Sequence, residues 1–368
     1  MISPVELRHK IHQTPELAMQ EFKTTQLLIE NIESAMKHYQ YKIKLHRPLE
    51  TGLVVEYKPT DGDFTLLRAD LDALPTIEQT GCEFASQNEN MHACGHDTHI
   101  SILYGFLLQV LEIKPQQNML FLFQPAEEAI GGAKMILETG ILDIFNIEKS
   151  FALHVNDEFD KGTIATNDST LFASCYELDI EFFGNSAHVA FPQNGKNALN
   201  AMRIFMDEKD KLPQNYNKPI IFGIGKVESG KVRNIVPDYA KLEGTIRSLK
   251  LSETQTYIDK LERICQGIEL STGISYKLHH GSVLKEVVNS PEIFEYAKSR
   301  LSEKFDFQKI DVKMTGEDYG YIAERYPSLM MWLGTRTEEF YGLHNPRFLP
   351  EDSIIEDGIE VLRILAAD

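Results

Sequence analysis

Residues 91–99 combine three imidazoles, one thiol and one carboxylate within nine positions. Thiolate, imidazole and carboxylate are the ligand types that a borderline-soft divalent metal such as zinc accepts. An apolar helical run, 100–111, follows directly, so that Cys94 and His96 stand at the entrance to a predicted helix. We therefore predict that these two residues bind metal. The alternative is a polar helix entry whose histidines are there by chance.

More groups that can bind metal or move protons follow short apolar runs that we predict to be strands. In open α/β sheets, ligands bind beyond the carboxyl ends of the strands. Singly, a pair of glutamates is usually solvated, and a histidine at a strand end usually has a structural role. Their shared position at one edge of a sheet is the stronger signal. The residues concerned are Asp70, Glu127, Glu128, His154 and His344.

The adjacent carboxylates of Glu127 and Glu128 suit metal-assisted hydrolysis. In non-helical backbone neighbouring side chains diverge, so one carboxylate can bind a metal while the other acts as general base on a water molecule. With Cys94 and the histidines, five ligand candidates result, which exceeds the roughly three protein ligands of one catalytic zinc. Two divalent ions about 3.5–4 Å apart would use them, with the thiolate of Cys94 as the bridge.

A second set of polar residues lies between 184 and 247. Hydrolysis of an amide needs a donor for the developing oxyanion, and His188, in a turn after a predicted strand, is a candidate for that role. Arg233, Asn234 and Arg247 are candidates for binding a substrate carboxylate, because the guanidinium fork matches a carboxylate. The alternatives are a turn histidine and solvated arginines.

Strands alternate with helices before and after this region, which predicts an α/β fold with a mostly parallel sheet. Residues 171–278 instead show a strand, a helix, two strands, a helix and a strand. This is the β-α-β-β-α-β order of a ferredoxin-like α+β domain. We therefore expect a catalytic metal-binding domain in two parts, 1–165 and 281–368, with an inserted domain at 166–280.

Composition argues against several classes of protein. The 368 residues carry 37 basic and 55 acidic side chains, a formal net charge of −18, which disfavours nucleic acid or an anionic membrane as partner. We find no apolar run of the roughly 18–20 residues that span a bilayer, and the first residues do not resemble a secretory signal. The four cysteines show no disulfide spacing, which predicts a reducing, cytoplasmic location.

Seven segments resemble one known family, the di-metal aminoacylase and carboxypeptidase amidohydrolases. The resemblance is to the subgroup that includes auxin-conjugate hydrolases and hippurate hydrolases, and it runs from residue 8 to residue 344. The segments that carry it are Arg8–Leu17, Arg68–Pro75, His92–Asp97, Gln124–Glu128, Asn234–Arg247, Gly316–Asp318 and Gly342–His344.

The resemblance implies a role for each candidate. Cys94 would bridge two divalent ions per subunit, which the ligand types suggest are Zn²⁺, or else Mn²⁺, Co²⁺ or Ni²⁺. Glu127 would be the general base, and Asp70 would support the metal centre. His188 would reach the active site of a partner subunit, which implies a homodimer formed through the inserted lid and dimerisation domain. The remaining metal ligands would be His96, Glu128, His154 and His344.

Within the subgroup, segments 171–174, 314–321 and 331–334 are most similar to N-acetyldiaminopimelate deacetylases. That similarity implies hydrolysis of N-acetyl-L,L-diaminopimelate to L,L-diaminopimelate and acetate, in the acetyl branch of lysine synthesis. The nearest alternative is a broader amidohydrolase that acts on N-acyl amino acids, hippurate or amino-acid conjugates.

Two interpretations of other classes stay open. A non-catalytic, metal-stabilised binding protein on the same fold would lack the general base, whereas Glu127 is present. A redox role for Cys94 would require a resolving cysteine nearby, for which Cys82 is the candidate. We therefore expect a metal-dependent hydrolase that acts on a small linear amide.

Overall fold

A computed structural model describes residues 1–129, 131–212 and 219–366. The chain forms two compact units. The first consists of Met1–Leu171, Val287–Val312 and Asp318–Asp368, and the second of Phe172–Glu286 and Lys313–Glu317. Compared with the predicted insert at 166–280, the main segment of the second unit begins at 172 and ends at 286.

The two units contain α-helices, β-strands and short 3₁₀ helices. Two short 3₁₀ helices cover Ile141–Ile144 and Pro192–Asn194. The α-helices of the described residues are α1 (Pro4–Gln13), α2 (Phe22–Tyr39), α3 (His96–Ile113), α4 (Gly132–Glu138), α5 (Ala198–Asp210), α6 (Leu251–Thr272), α7 (Pro291–Leu301), α8 (Gly320–Arg325) and α9 (Ile354–Ala366). The strands are β1 (Lys44–His46), β2 (Leu53–Tyr57), β3 (Phe64–Asp70), β4 (Asn118–Gln124), β5 (Ile147–Asp160), β6 (Thr163–Thr166), β7 (Thr170–Phe172), β8 (Ser174–Phe183), β9 (Ile220–Ser229), β10 (Tyr239–Ser248), β11 (Ser275–Leu284), β12 (Val287–Val288), β13 (Asp306–Lys309) and β14 (Ser328–Arg336).

An eight-stranded sheet forms the centre of the first unit, in the order β1-β2-β4-β3-β5-β14-β6-β13. The inner strands β4, β3, β5 and β14 run parallel to one another. Strand β1 is antiparallel to β2, and β2 is antiparallel to β4. Strand β6 is antiparallel to β14 and parallel to β13. Every residue of β3 and β4 is buried, as is typical of strands in the middle of an α/β sheet. The prediction of an α/β fold with a mostly parallel sheet is confirmed.

The second unit contains an antiparallel four-stranded sheet, β11-β8-β10-β9. Along the chain its elements are β8, α5, β9, β10, α6 and β11, so the predicted ferredoxin-like order is confirmed. Leu178, Ile180 and Phe182 alternate along β8 and share one apolar core with Phe205 of α5 and Leu261 of α6. The helices therefore pack on one face of this sheet.

Helix α3, which follows the cysteine motif, is held inside the core of the first unit. Fourteen of its 18 residues are buried. It packs closely on α9 because both helices have a glycine at the crossing. A Cβ on Gly105 would lie 2.3 Å from Ile359 Cδ1, and a Cβ on Gly358 would lie 2.4 Å from Ile102 Cδ1. A helix enclosed in this way holds the residues at its N-terminus in a fixed position.

Two parts of the fold differ from the prediction. The roughly helical spacing of Leu17, Phe22, Leu27, Leu28, Ile32 and Met36 predicts a helix from Glu16 to Lys37. In the structure this helix begins at Phe22. The Glu16 carboxylate instead accepts hydrogen bonds from the backbone amides of Lys23 (3.1 Å) and Thr24 (2.9 Å), and so caps the helix from outside. The sequence does not predict β6 and β13, because these four-residue strands lack a clear apolar alternation.

Among the helices in the described part of the chain, none has both the length and the apolar character needed to cross a membrane.

Candidate metal centre

Three parallel strands of the first unit bring the predicted groups to one edge of the sheet. Asp70 is the last residue of β3, His154 lies in β5, and β4 ends at Gln124, shortly before Glu127 and Glu128. Because β4, β3 and β5 are neighbours that run in the same direction, these residues lie side by side. The structure therefore brings the predicted groups together.

Two groups of ligand atoms lie close enough to hold one metal ion each, and they share Cys94. The first consists of Cys94, His96 and His154, and the second of Cys94, Glu128 and His344. Within each group the ligand atoms lie within 4.8 Å of one another. Cys94 Sγ is 3.4 Å from His154 Nε2, and His344 Nε2 is 3.3 Å from Glu128 Oε1. A thiolate common to both groups suits a bridging ligand between two ions.

The buried imidazoles present the nitrogen that a metal would need. The His154 Nδ1–H donates to the carbonyl of Val155 at 2.8 Å. The His96 Nδ1–H donates to the carbonyl of Asp72, also at 2.8 Å. Both assignments leave the lone pair on Nε2. His96 Nε2 and Glu128 Oε1 are buried without a hydrogen-bond partner among the described residues, so these atoms, and the thiol-imidazole-carboxylate donor set, fit a divalent ion.

The protein groups around the centre create a negative potential. Burial and the neighbouring Glu128 raise the pKa of the Cys94 thiol well above its usual range. Burial alone would lower the pKa of His96, but Asp70 and Asp72 outweigh it and raise that pKa to about 10. Without a metal, burial and the carboxylates favour the protonated thiol, and the carboxylates favour the protonated imidazole. A divalent cation neutralises the same carboxylates and can take the place of these protons.

Asp72 fixes the turn that carries the two glutamates. One oxygen of its carboxylate accepts a hydrogen bond from the Glu127 N–H (3.0 Å), and the other accepts one from the Glu128 N–H (2.9 Å). Glu127 is buried and its carboxylate lies within 4.8 Å of ligand atoms of His96 and Glu128. It belongs to neither of the two groups that share the thiol. That position suits a general base next to a metal centre.

A buried ionic network ties together the two ends of this turn. Gln124, before the turn, donates to the Asp318 carboxylate at 2.8 Å, and the backbone N–H of Ala133, after the turn, donates to the same carboxylate at 2.8 Å. The Arg68 guanidinium bridges Asp318 (2.8 Å) and Asp70 (2.6 Å). One carboxylate therefore fixes the ends of the segment that carries the predicted base.

Asp70 lies behind the centre. Its Oδ1 accepts a hydrogen bond from His99 Nδ1 at 2.6 Å, and its Oδ2 is 3.8 Å from His96 Nε2. Burial alone would raise the pKa of Asp70, but His96, Arg68 and His99 hold it well below its usual range. A carboxylate that stays ionised beside a ligand suits the supporting role expected of Asp70.

The other predicted residues belong to the second unit. His188 is exposed, and its Nδ1 accepts a hydrogen bond from the Ala190 N–H at 3.1 Å. The backbone around His188 is hydrogen-bonded to that of 234–236. Arg247, in β10, donates to the carbonyl of Met314 at 3.3 Å. The residues concerned are His188, Arg233, Asn234 and Arg247.

Four supporting residues are not singled out by the sequence reasoning. Two of them lie in segments that carry the family resemblance. Asp72 follows Asp70 by two positions, the spacing of one face of an extended chain, so that spacing was an available signal. His99 follows His96 by three positions on α3, which is the spacing of neighbours on a helix face. The four are Asp72, His99, Asp157 and Asp318.

The neighbours of the thiols bear on the redox interpretation. Cys82 Sγ lies 3.7 Å from Glu78 Oε1, whereas Cys94 Sγ contacts His154. Burial raises the pKa of both thiols, which opposes thiolate formation in either cysteine without a metal. All four cysteines of the described residues are free. This environment favours the ligand role of Cys94.

Comparison with known proteins gives consistent matches over the chain. The sequence profile of Peptidase family M20/M25/M40 matches residues 66–368. The chain is 37% identical over 363 residues to the N-acetyldiaminopimelate deacetylase of Shouchella clausii, covering 97% of this chain and 95% of that protein. It is 35% identical to the N-acetyldiaminopimelate deacetylase of Bacillus subtilis, over 97% of this chain and 96% of that protein.

Solved structures agree with these matches. A dinuclear metal-binding peptidase of the M20 family from Bacillus subtilis is 27% identical with a TM-score of 0.83, covering 99% of this chain and 96% of that one. The aminopeptidase PepT of Bacillus cereus, 14% identical, shares the fold with a TM-score of 0.75 over 99% of this chain and 97% of that one. The profile match and the nearly full-length relatives together show that the chain belongs to Peptidase family M20/M25/M40.

Proposed function

We propose that this chain is a metal-dependent amidohydrolase that deacetylates N-acetyl-L,L-diaminopimelate to L,L-diaminopimelate and acetate, in the acetyl branch of lysine synthesis. The observation that carries the proposal is the pair of ligand groups that share Cys94, with Glu127 beside them and outside both. The substrate is supported by the relatives named N-acetyldiaminopimelate deacetylase, which are 35% and 37% identical over nearly the whole chain.

The side chains of the centre divide the chemistry among them. Two divalent ions, when bound, lower the pKa of water and polarise the scissile carbonyl. Glu127 accepts a proton from the attacking water as the new C–O bond forms. It then delivers that proton to the amine nitrogen as the C–N bond breaks, so that acetate and the free amine leave. Asp72 holds the Glu127 backbone in place throughout, through the 3.0 Å hydrogen bond.

We assign the polar residues of the second unit to substrate binding, as a proposal that rests on the family resemblance and on residue type. His188 donates a hydrogen bond to the oxyanion of the tetrahedral intermediate, reaching the site of a partner subunit. Arg233, Asn234 and Arg247 bind a substrate carboxylate, for which the guanidinium fork is suited. His188→Ala should therefore lower kcat more than it raises KM, whereas Arg247→Ala should mainly raise KM.

Homodimerisation through the second unit is part of this proposal. Strand β9 pairs with β10 on one side and forms an edge of its sheet within the described residues. Ile221 and Val227 on this strand are 49% and 47% exposed, an apolar edge of the kind that pairs with another chain. Light scattering should give twice the mass of one chain, and Ile221→Lys should give the mass of one chain. A wild-type monomer would contradict the dimer.

The kind of metal and the location of the protein are further proposals. A thiolate with imidazoles favours Zn²⁺, while Mn²⁺, Co²⁺ and Ni²⁺ accept the carboxylate and imidazole ligands. Metal analysis of the purified protein and reconstitution of the stripped protein will distinguish them. The free state of the cysteines supports a reducing, cytoplasmic location.

A panel of substrates tests the reaction and the acyl acceptor. N-acetyl-L,L-diaminopimelate has a distal ammonium and carboxylate that N-acetyl-L-methionine and hippurate lack. A site built to bind those groups should prefer it by at least about 100-fold in kcat/KM. Equal or faster turnover of the analogues would favour the broader amidohydrolase. No turnover of any of these substrates by a protein with bound ions would favour a binding protein.

A further inference from the structure

The loop that carries His344 is the least enclosed part of the centre. The His344 side chain is 54% exposed, whereas that of Glu128, which faces it, is 12% exposed. His344 has a φ of +65°, and Gly342, two residues earlier, has a φ of +83°. Left-handed backbone is unfavourable for a residue with a Cβ, so His344 keeps it only where neighbouring contacts hold the loop.

Asp157 supplies contacts of this kind. It lies in β5, three residues after His154, and is 5% exposed. Its Oδ2 accepts hydrogen bonds from the backbone N–H groups of Tyr341 (2.8 Å) and Gly342 (3.0 Å), and its Oδ1 lies 3.2 Å from the same Gly342 nitrogen. Both oxygens of this buried carboxylate therefore face backbone N–H groups of the loop. Because the acceptor is charged, these hydrogen bonds are stronger than those between neutral groups.

The same strand also holds the segment that contains the thiol. Val155 packs on Gly95, where a Cβ would lie 2.3 Å from Val155 Cγ2. The backbone N–H of His344 donates to the carbonyl of Ala93 at 2.9 Å, directly before the thiol. Strand β5 therefore holds both segments, the thiol turn through Val155 and the histidine loop through Asp157.

We propose that Asp157 is a positioning residue for the second ligand group. By fixing the backbone of 341–344, it keeps His344 within reach of Glu128 and Cys94, and so retains the ion of that group. Its effect is exerted through His344, because its hydrogen bonds go to the backbone of the loop that carries this histidine. The inference rests on the proposed two-ion centre and deepens it: the occupancy of one of the two ions depends on a residue outside both ligand groups.

Metal titration of Asp157→Asn tests the proposal. The substitution nearly preserves shape, but it removes the negative charge that strengthens both hydrogen bonds to Oδ2. It also replaces Oδ1, 3.2 Å from the Gly342 nitrogen, with an amide NH₂ that opposes the Gly342 N–H. We expect the affinity for one ion to fall about 10–100-fold, as for other residues that orient a ligand, while the ion of the Cys94, His96 and His154 group is retained. The readout is metal content after dialysis against graded free Zn²⁺. The matched control is Asp160→Asn, on the same strand and 74% exposed, which should retain both ions.

A double-mutant cycle separates positioning from a general structural role. If Asp157 acts through His344, adding Asp157→Asn to His344→Ala will cause no further loss of metal. Tyr341→Pro, which removes a donor on the exposed loop instead of the buried acceptor, should weaken the same ion. Additive losses in the cycle, or two ions bound by Asp157→Asn with wild-type affinity, would overturn the inference. A wild-type protein that binds fewer than two ions would instead overturn the proposed centre itself.

Discussion

Glu127 and Glu128 are neighbours in the chain but have different surroundings. Burial alone would raise the pKa of Glu128, but His344 and His96 outweigh it and lower that pKa, so this carboxylate stays ionised as a ligand must. Glu127 lies beside the ligand groups without belonging to either of the two that share the thiol. The two residues share only the partner of their backbone N–H groups, because both N–H groups donate to the Asp72 carboxylate.

Asp72→Asn should therefore lower activity although residue 72 belongs to neither of the two groups that share the thiol. The asparagine keeps one acceptor and leaves one of the two glutamate amides without a partner, which costs about 1–3 kcal/mol in a buried site. We expect kcat to fall about 10–100-fold with most of the metal retained. Steady-state kinetics and metal analysis of the same preparation measure both effects. Asp61→Asn, at a fully exposed position, is the control; equal activity of the two variants would contradict the role of Asp72.

The residue types pointed to the candidate ligands more readily than to the residues that support them. Cys94 and His96 could be identified because a thiol and imidazoles rarely occur so close together without a reason. Asp72 and Asp157 could not, because each acts through hydrogen bonds to the backbone of a distant segment. A carboxylate that accepts two backbone amides looks, in the sequence, like any other aspartate.

The segment between β4 and α4 is the element on which the chemistry depends most. Ala126 has a φ of +60°, and the backbone N–H of Gly132 donates to its carbonyl at 3.0 Å. A Cβ on Gly132 would lie 1.7 Å from the carbonyl oxygen of Pro125, so only glycine fits there. The turn that carries Glu127 is therefore closed by a backbone contact.

Gly132→Ala should displace that turn and reduce activity. A misplacement of about 1 Å can cost about 100-fold in rate, so we expect a loss of that order together with weaker metal binding. Activity and metal content are the readouts. Gly62→Ala is the control, since a Cβ there would meet its nearest atom at 3.7 Å. An active Gly132→Ala enzyme with both ions bound would show that the turn tolerates displacement.

The elements that the sequence predicts best are those with a strong apolar period. The wholly buried strands β3 and β4 and the helix α3 follow from their apolar runs. Strand β13 does not, because its four residues show no apolar alternation and its place is set by pairing with β6. The start of α2 is likewise set by a contact outside the helix, the hydrogen bond from the Thr24 N–H to the Glu16 carboxylate.

At the scale of the whole molecule, ion pairs of the buried Arg8 and His12 connect segments of the first unit that are far apart in the chain. Arg8 of α1 pairs with Asp97 of α3 at 3.0 Å and with Asp352, near α9, at 2.7 Å. His12 lies between Asp97 (2.9 Å) and Glu78 (3.2 Å). The N-terminal helix is therefore held to α3, whose first residue is the proposed metal ligand His96.

The stability of the protein should depend on pH through His12. Burial alone would lower the pKa of His12, but Asp97 and Glu78 outweigh it and raise that pKa from 6.5 to about 9. Because the folded state favours the imidazolium, its contribution to the free energy of unfolding, about 3 kcal/mol, is complete below pH 6.5 and is lost as the pH rises to about 9.

Urea unfolding of the metal-stripped protein at pH 6 and pH 9 measures this contribution. The difference in unfolding free energy between the wild type and His12→Gln should be large at pH 6 and shrink at pH 9. His38→Gln, at an exposed position, is the control. A difference that stays constant over this range would contradict the charged pairing.

The order of strands and helices could be predicted from the sequence, but the ion pairs between distant segments could not. Alternating strands and helices, and the β-α-β-β-α-β order, follow from local periodicity and predicted the two larger sheets, but not the two-stranded sheet of β7 and β12. The pairing of Arg8 with Asp352 joins residues 344 positions apart, for which local patterns contain no information. Such contacts follow from the packing of the folded chain alone.

Acetate release from N-acetyl-L,L-diaminopimelate is the most direct test of the proposed reaction. It is measured with the purified protein, after chelation, after addition of Zn²⁺, Mn²⁺ or Co²⁺, and with Glu127→Gln alongside. We predict that chelation abolishes release, that metal restores it, and that Glu127→Gln binds two ions but is slower by about 10²–10⁴-fold. Release that survives chelation, full activity of Glu127→Gln, or no release by a protein with two bound ions would contradict the proposal.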